Sequence, residues 1–300
     1  MRVLVTGGTG FIGSNLVKIL VELGHSVTAT GCQTENKLPG KVKLLNCHLT
    51  GIDWKEVKSL DIVFHQAANN DTLDNDSREM SRANVEAPKE LFRKAYEGGC
   101  RQFVYASSTA VYGDACVPYR EDDMTYIRPL NTYGISKALF DSFAKNFSDE
   151  VRANIIGLRY CNVYGPGESH KGKRASMVYQ IYQKMKNGES PKLFSDGEQK
   201  RDWCYIEDVV KINLLASQYS GSGIFNVGFG KAVSFNDIVE AWNEVMETEI
   251  SPEYIPNPYE QSYQNHTECS VIKAVSKLKW NPKFDIKAGI REYYKWLKNQ

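Results

Sequence analysis

Tyr133 and Lys137 stand four residues apart in a stretch, residues 133–147, whose apolar spacing predicts a helix. At that separation both side chains leave the same helical face. An ammonium beside a phenol lowers the phenol's pKa and makes it a usable proton acceptor near neutral pH. A Tyr and a Lys at this spacing also arise by chance, where they merely pack or cap. Their weight comes from the company they keep. Residues 105–113 read YASSTAVYG, and Ser108 ends a predicted strand, where its hydroxyl can hold a carbonyl oxygen while a hydride moves. Hydride transfer needs a carrier, and residues 6–13 read TGGTGFIG. Gly7, Gly10 and Gly13 give G-x-x-G-x-x-G directly after a strand and opening a helix at Phe11 and Ile12. The first glycine permits the tight turn. The second lets the backbone approach a pyrophosphate, and the third allows close helix–strand packing. The helix N-terminus supplies amide donors and a positive dipole.

The residue that ends the second strand sorts the dinucleotides, because a carboxylate there binds a ribose 2′-hydroxyl. That place falls on Gly31 or Cys32, and neither is acidic. A 2′-phosphate meets no repulsion, and Lys37 is close enough in sequence to be its partner or else a solvated loop lysine. The expectation is NADP, with NAD possible.

The elements that position these residues follow from the alternation of short apolar runs with helical stretches. Strands are predicted over residues 2–5, 27–30, 42–45, 62–64, 103–105 and 154–158, with helices over 11–23, 77–97 and 133–147 among them. Repeated β-α units predict an α/β fold, a doubly wound parallel sheet. After about residue 160 the rhythm changes. A Gly- and Pro-rich loop covers 164–173, a helix 175–186, and a strand, Ser-Asp-Gly turn and strand 191–203. Helix is expected over 207–218, strand over 224–227, and a closing amphipathic helix over 285–297. Residues 1–160 with about 206–230 are expected to form the dinucleotide domain. Residues 161–205 and 231–300 are expected to form a smaller C-terminal substrate-binding lobe.

Composition excludes several classes. With 37 basic and 36 acidic residues, no charge excess drives binding to nucleic acid. No apolar run approaches the roughly 18 residues of a membrane span, and the opening MRVLVTGG stops too early for a secretory signal. Seven scattered cysteines, an odd number without a C-x-x-C pair, read as reduced thiols of a cytoplasmic protein. Five histidines without ligand spacing predict no metal site.

With these residues in hand, the chain resembles the extended short-chain dehydrogenase/reductases, the group of nucleotide-sugar epimerases and dehydratases. TGGTGFIGSN, His65-Gln66-Ala67-Ala68, Asn84-Val85, SSTAVYG and the Tyr133/Lys137 pair carry the resemblance, which runs nearly end to end. It implies a Rossmann domain for NAD(P), a nucleotide-diphosphate sugar as partner, and Ser108, Tyr133 and Lys137 as the catalytic trio. It implies that Ala67 and Ala68 line the cofactor, that Asn84 helps position it, and that Val163 joins them. Homo-oligomers are common in the group.

One branch fits best. Asn162-Val163-Tyr164-Gly165-Pro166, Glu168, His170-Lys171-Gly172, NGESPKLF at 187–194, Lys200-Arg201-Asp202 and EYIPNP at 253–258 resemble the ADP-L-glycero-D-manno-heptose 6-epimerases, which supply a lipopolysaccharide precursor. The resemblance implies a second catalytic acid/base at Lys171. From residues alone, a Gly-flanked lysine is otherwise a solvated loop. It also implies substrate contacts from Asn162, Phe194, Ser195, Asp196, Gly197, Arg201 and Tyr263, although Arg201 beside Asp202 could instead be a structural ion pair. The chain departs from the branch at Lys173 and Arg174, where a serine and a methionine are usual. These added cations, Lys173 above all, suit an extra phosphate or a more acidic substrate. Gln180 replaces a histidine, and His48 an acidic residue near the adenine. A UDP-hexose 4-epimerase and a net NADPH-dependent ketosugar reductase are the competing readings. A dehydratase is disfavoured because Thr109-Ala110, rather than an acid pair, follow Ser108.

Overall fold

A computed structural model describes residues 1–33, 37–71, 76–258 and 264–300. The strands in chain order are β1 (Arg2–Thr6), β2 (Ser26–Thr30), β3 (Lys43–Leu45), β4 (Ile62–His65), β5 (Gln102–Ser108), β6 (Asn154–Tyr160), β7 (Asn162–Tyr164), β8 (Lys192–Phe194), β9 (Lys200–Tyr205), β10 (Gly223–Val227), β11 (Ala232–Ser234), β12 (Glu253–Ile255) and β13 (His266–Thr267). The helices are α1 (Phe11–Glu22), α2 (Ser77–Ser81), α3 (Ala87–Glu97), α4 (Thr132–Glu150), α5 (Met177–Lys186), α6 (Ile206–Gln218), α7 (Phe235–Met246), α8 (Ile272–Leu278) and α9 (Ile286–Lys298).

Seven strands form one parallel sheet in the order β10-β6-β5-β4-β1-β2-β3. The predicted doubly wound sheet is therefore the fold. The reason is legible strand by strand, because successive side chains of a strand face opposite ways. Val3 and Val5 of β1 enter one core with Leu16, Val17 and Leu20 of α1 and Val209 and Ile212 of α6. Leu4 enters the other, with Leu91, Phe92 and Ala95 of α3 and Phe140 and Ala144 of α4. Phe64 against Val63 and Val104 against Phe103 divide in the same way. Strands buried on both faces read as continuous apolar runs, which a parallel sheet requires. Truncating one such side chain, Phe64 for example, costs about 3–5 kcal/mol.

The helix predicted over residues 77–97 is helical throughout, with a wide π turn over Arg82–Glu86 between α2 and α3. Pro88 sits in the first turn of α3 and has no N–H to give the carbonyl one turn back, so the backbone widens there. The two strands predicted within 191–203 are present, and each finds its partners elsewhere in the chain: β8 pairs with β12, and β9 with β7, β11 and β13. No helix among the described residues is long and apolar enough to cross a membrane.

Candidate active site

The phosphate loop joins β1 to α1, and its glycines are required by geometry. Gly7 has φ +67°, and a Cβ there would lie 2.8 Å from the amide nitrogen of Ala67 at the end of β4. A Cβ on Gly13 would collide with the carbonyl of Gly7, so helix and loop can touch only without it. Gly10 differs. A Cβ there would meet nothing in the protein closer than 3.2 Å, yet Gly10 lines a cavity of about 620 Å³. Its bareness leaves room on the cavity floor, which is what a closely approaching pyrophosphate needs. Phe11, Ile12 and Gly13 continue that floor, and Ala67, Ala68 and Asn69 form the wall after β4. The residues present thus fit a dinucleotide.

Beyond β2 the cavity is lined by Gly31, Cys32 and Gln33, and opposite them by Cys47, His48, Leu49 and Thr50. A side chain on Gly31 would strike the Thr9 hydroxyl, so steric packing excludes an acid at that position. Lys37 is exposed and does not line the cavity.

The trio is assembled by the close approach of α4 to the end of β5. Asn131 caps α4 by accepting the Gly134 N–H at 2.8 Å. A Cβ on Gly134 would lie 2.6 Å from the carbonyl of Ala110, so the glycine lets the first helical turn press onto the segment after Ser108. Tyr133 and Ser108 are half-buried there, and Lys137 is buried. Lys137 Nζ donates to the carbonyl of Ala106 at 2.9 Å and lies 5.7 Å from the centre of the Tyr133 ring. Burial pushes the Tyr133 phenol above its ordinary value, and a hydrogen bond with Ser108 pulls it back down. Burial likewise lowers Lys137, to about 8, against the opposing charge of Asp141. In this arrangement the hydrogen bond with Ser108 is an influence that lowers the phenol, beside the Lys137 charge that the sequence pointed to.

Asp141 went unnoticed in the sequence, yet its spacing was available. It stands one turn beyond Lys137 and two beyond Tyr133, giving Y-x-x-x-K-x-x-x-D. Its carboxylate pairs with Arg159 at 2.9 Å and accepts the Tyr105 hydroxyl at 3.0 Å, all of them buried. Arg159 also donates to Tyr112, which donates to Asn226. Asn84, in the π turn, exchanges hydrogen bonds with the backbone of Asn69 and donates to Ser136 Oγ at 3.0 Å. It ties the cavity wall to the helical turn between Tyr133 and Lys137 without lining the cavity itself. His65 is structural. It is buried, bonded to Thr6 Oγ1 at 2.7 Å, and held by burial at a pKa of about 3.

The residues expected to hold a sugar nucleotide are more dispersed. Asn162 donates to the carbonyl of Asp202 at 3.2 Å. Arg201 lies over the Phe235 ring at 5.7 Å. The carboxylate of Asp202 accepts the backbone amides of Phe229, Gly230 and Cys269. Phe194, Ser195, Asp196 and Gly197 form a turn against the start of α7: the Gly197 carbonyl accepts from Phe235 and Asn236, and Ser195 adopts φ +54°. Val163 is partly buried against the core and does not line the cavity, while Lys173 is exposed. Tyr263 lies outside the described residues. Lys171 is on the cavity wall with His170 and Arg174, its Nζ 5.7 Å from the centre of the Phe11 ring. Among the described residues, Cys161, Asp202 and Cys269 form a group compact enough for a metal, but the Asp202 oxygens are already taken by amides.

Residues 3–228 match the NAD dependent epimerase/dehydratase family. The chain belongs to that family. Several solved members superpose on the whole chain. A UDP-N-acetylglucosamine 4-epimerase from Methanobrevibacter ruminantium, in complex with UDP-N-acetylmuramic acid, is 28% identical with a TM-score of 0.92, covering 100% of this chain and 98% of its own. The ADP-L-glycero-D-manno-heptose-6-epimerase of Helicobacter pylori is 32% identical with a TM-score of 0.89, covering 100% and 96%. MoeE5, in complex with UDP-glucuronic acid and NAD, is 28% identical with a TM-score of 0.89, covering 100% and 99%. This family member is accordingly an NAD(P)-dependent enzyme of the nucleotide-sugar epimerase class, as its motifs led one to expect.

Proposed function

We propose that the protein inverts a carbinol centre of a nucleotide-diphosphate sugar, C6 of an ADP-glycero-manno-heptose, using a retained NADP. The observation that carries this reading is the convergence of Tyr133, Ser108 and Lys137 on the sheet edge whose phosphate loop floors the dinucleotide cavity. The nicotinamide, when bound, supplies a hydride acceptor that later returns the hydride, so no net oxidation occurs. Tyr133 removes the hydroxyl proton as the carbon is oxidised, and Ser108 holds the resulting carbonyl oxygen. Lys137, fixed by the Ala106 carbonyl, places a positive charge beside the phenol. The ketone turns its other face, and a proton returns to the oxygen as the alcohol re-forms.

The heptose is supported by NGESPKLF, the His-Lys-Gly loop and similarity to the Helicobacter pylori enzyme. NADP is supported by the absence of a carboxylate among Gly31, Cys32 and Gln33, the described residues that line the cavity at the β2 end. Residues 161–205 and 231–300 hold the sugar nucleotide, with Asn162, Lys173, Arg201, Tyr263 and the 194–197 turn as its contacts. Ile135 and Leu139, exposed on α4, suit a homo-oligomer, and the cytoplasm suits its cysteines. A UDP-hexose 4-epimerase is the second reading, favoured by end-to-end similarity to the archaeal 4-epimerase.

The test is to incubate purified protein with ADP-heptose and with UDP-glucose, adding no cofactor, and to follow the sugars by NMR. Inversion of the heptose alone is expected. A parallel reaction contains deuterium-labelled reduced dinucleotide. Stoichiometric entry of label into product, with consumption of the reagent, would establish a net reductase instead.

A further inference from the structure

We propose that Cys161 and Cys269 form a reversible disulfide that fastens β13 to the end of β6, one hydrogen bond from the segment that carries Ser108. The proposal stands on the packing of two thiols and is independent of which sugar the enzyme inverts.

The fold brings the pair together from positions 108 residues apart, and both are buried. Cys161 follows β6 directly, and its N–H donates to the carbonyl of Val227 at 2.8 Å. The preceding carbonyl, of Tyr160, accepts the hydroxyl of Thr109 at 3.2 Å, and Thr109 is the neighbour of Ser108. Cys269 arrives with the last strand. Thr267 of β13 pairs with Arg201 of β9, and two residues on, the Cys269 N–H donates to the Asp202 carboxylate at 3.1 Å. The two sulfurs then lie 2.8 Å apart, closed in by Val111, Tyr112 and Tyr119. Gly228 also packs against the Cys161 sulfur, and a Cβ there would come within 2.8 Å of it.

This spacing separates a cross-link from the other common use of paired thiols. Two thiolates on a tetrahedral zinc, with Zn–S bonds of about 2.3 Å, stand about 3.8 Å apart. A disulfide brings its sulfurs to about 2.0 Å, so less than about 1 Å of approach closes this pair. In the reaction two S–H bonds break and one S–S bond forms. Two electrons and two protons pass to an oxidant of the hydroperoxide or low-molecular-weight disulfide class; hydrogen peroxide leaves as two waters, and a disulfide as two thiols. Burial pushes both thiols above their ordinary range, so they stay protonated and slow to react while the fold is closed. Access comes through β13, a strand of two residues held to β9 by two register pairs, since elements so lightly held open locally before the core does.

The experiment equilibrates the whole chain in glutathione buffers running from reduced to oxidised. One series is in plain buffer, and the other is in urea just below the unfolding transition, where buried thiols are intermittently exposed. Remaining thiols are blocked after quenching, and linked peptides are mapped by mass spectrometry. A Cys161–Cys269 peptide is expected in the oxidised urea series, lost on adding dithiothreitol. The cross-link restricts the unfolded chain, so the oxidised protein should unfold at a urea midpoint higher by about 1 M. That comparison uses the unaltered protein with and without reductant, so it does not depend on a variant folding. C269A should show neither the peptide nor the oxidant-dependent rise. Recovery of Cys161 and Cys269 as separate thiols from the oxidised urea series would overturn the proposal, as would equal midpoints for the linked and reduced proteins.

Discussion

The dinucleotide half and the region around β9 are held by different kinds of contact. In the first, the decisive constraints are short-range and steric. Gly7 needs a positive φ, Gly13 needs to touch the Gly7 carbonyl, and Gly134 needs to touch Ala110. In the second, buried carboxylates gather amides from distant segments. Asp202 takes Phe229, Gly230 and Cys269. Asp208 takes the amides of Lys283 and Phe284, and Glu168 spans Gly165 and Ser176. Steric constraints leave a mark in the sequence as glycine at fixed spacing. A carboxylate that satisfies amides far along the chain leaves none, because its partners are backbone groups of any residue type. The first half is therefore a preformed cradle, and the second a set of loops whose geometry depends on a few acids.

The most forceful way to break this comparison is at the trio. Tyr133→Phe removes the proton acceptor while leaving the cradle untouched. It should lower kcat by roughly 10²- to 10⁴-fold, the usual worth of general acid–base help. Dinucleotide affinity should stay near that of the unaltered protein. Steady-state kinetics together with a binding titration checks both halves of the statement. Full turnover in Y133F would remove Tyr133 from the mechanism.

Next in size is the loss of an amide-gathering acid. Asp202→Ala strips three buried N–H groups of their acceptor, and unsatisfied groups of this kind cost about 1–3 kcal/mol each, so a loss of about 3 kcal/mol or more is expected. The loss should be visible in denaturant unfolding. Dinucleotide affinity in the folded protein should fall little, because none of the phosphate-loop residues bonds to Asp202. An equal loss of affinity would mean that the two regions are a single cooperative unit.

A smaller effect is expected at Lys137. Its pKa of about 8 places loss of the ammonium within reach of an activity profile, so turnover should decline as pH rises through about 8. Asp141 raises that pKa by its charge. Asp141→Asn removes the charge, and the alkaline limb should move to lower pH. A limb that stays in place would show that another group sets it.

These contrasts also explain what could be read from the chain. The sheet was legible because each strand is buried on both faces, so Val3, Leu4 and Val5 announce it without help. The cradle and the trio were legible because glycine spacing and the i, i+4 rule are local. Pairing of β8 with β12 was not, since the partner strand lies some sixty residues on and nothing local names it. Nor did the sequence separate the two uses of Arg201-Asp202: the acid serves three amides, and the arginine lies over Phe235. The placement of Lys171 depends on Asn15 and Glu168, residues that no spacing rule connects to it.

The last test concerns His65, where the cradle meets its supporting core. The ring is bonded to Thr6 and packed edge-on against Phe92 and Phe140, and burial holds its pKa at about 3 against an ordinary 6.5. Between those values the unfolded chain takes up a proton that the folded protein refuses. The stabilising contribution of neutral His65 is thus fully present above pH 6.5 and is lost progressively as pH falls toward 3. Unfolding free energy should therefore receive a declining contribution from His65 on acidification below about 6.5, opposed by Asp202, whose carboxyl burial pushes up to about 6. His65→Asn keeps a polar partner for Thr6 but cannot titrate. It should start less stable at pH 8, having lost the ring packing, and should show a shallower slope between pH 6.5 and 4. An unaltered slope would show that His65 does not set the acid sensitivity, and the buried carboxylates of the other region could not account for it, because burial raises the pKa of Asp202, Glu168 and Asp208 and their protonation favours the folded state.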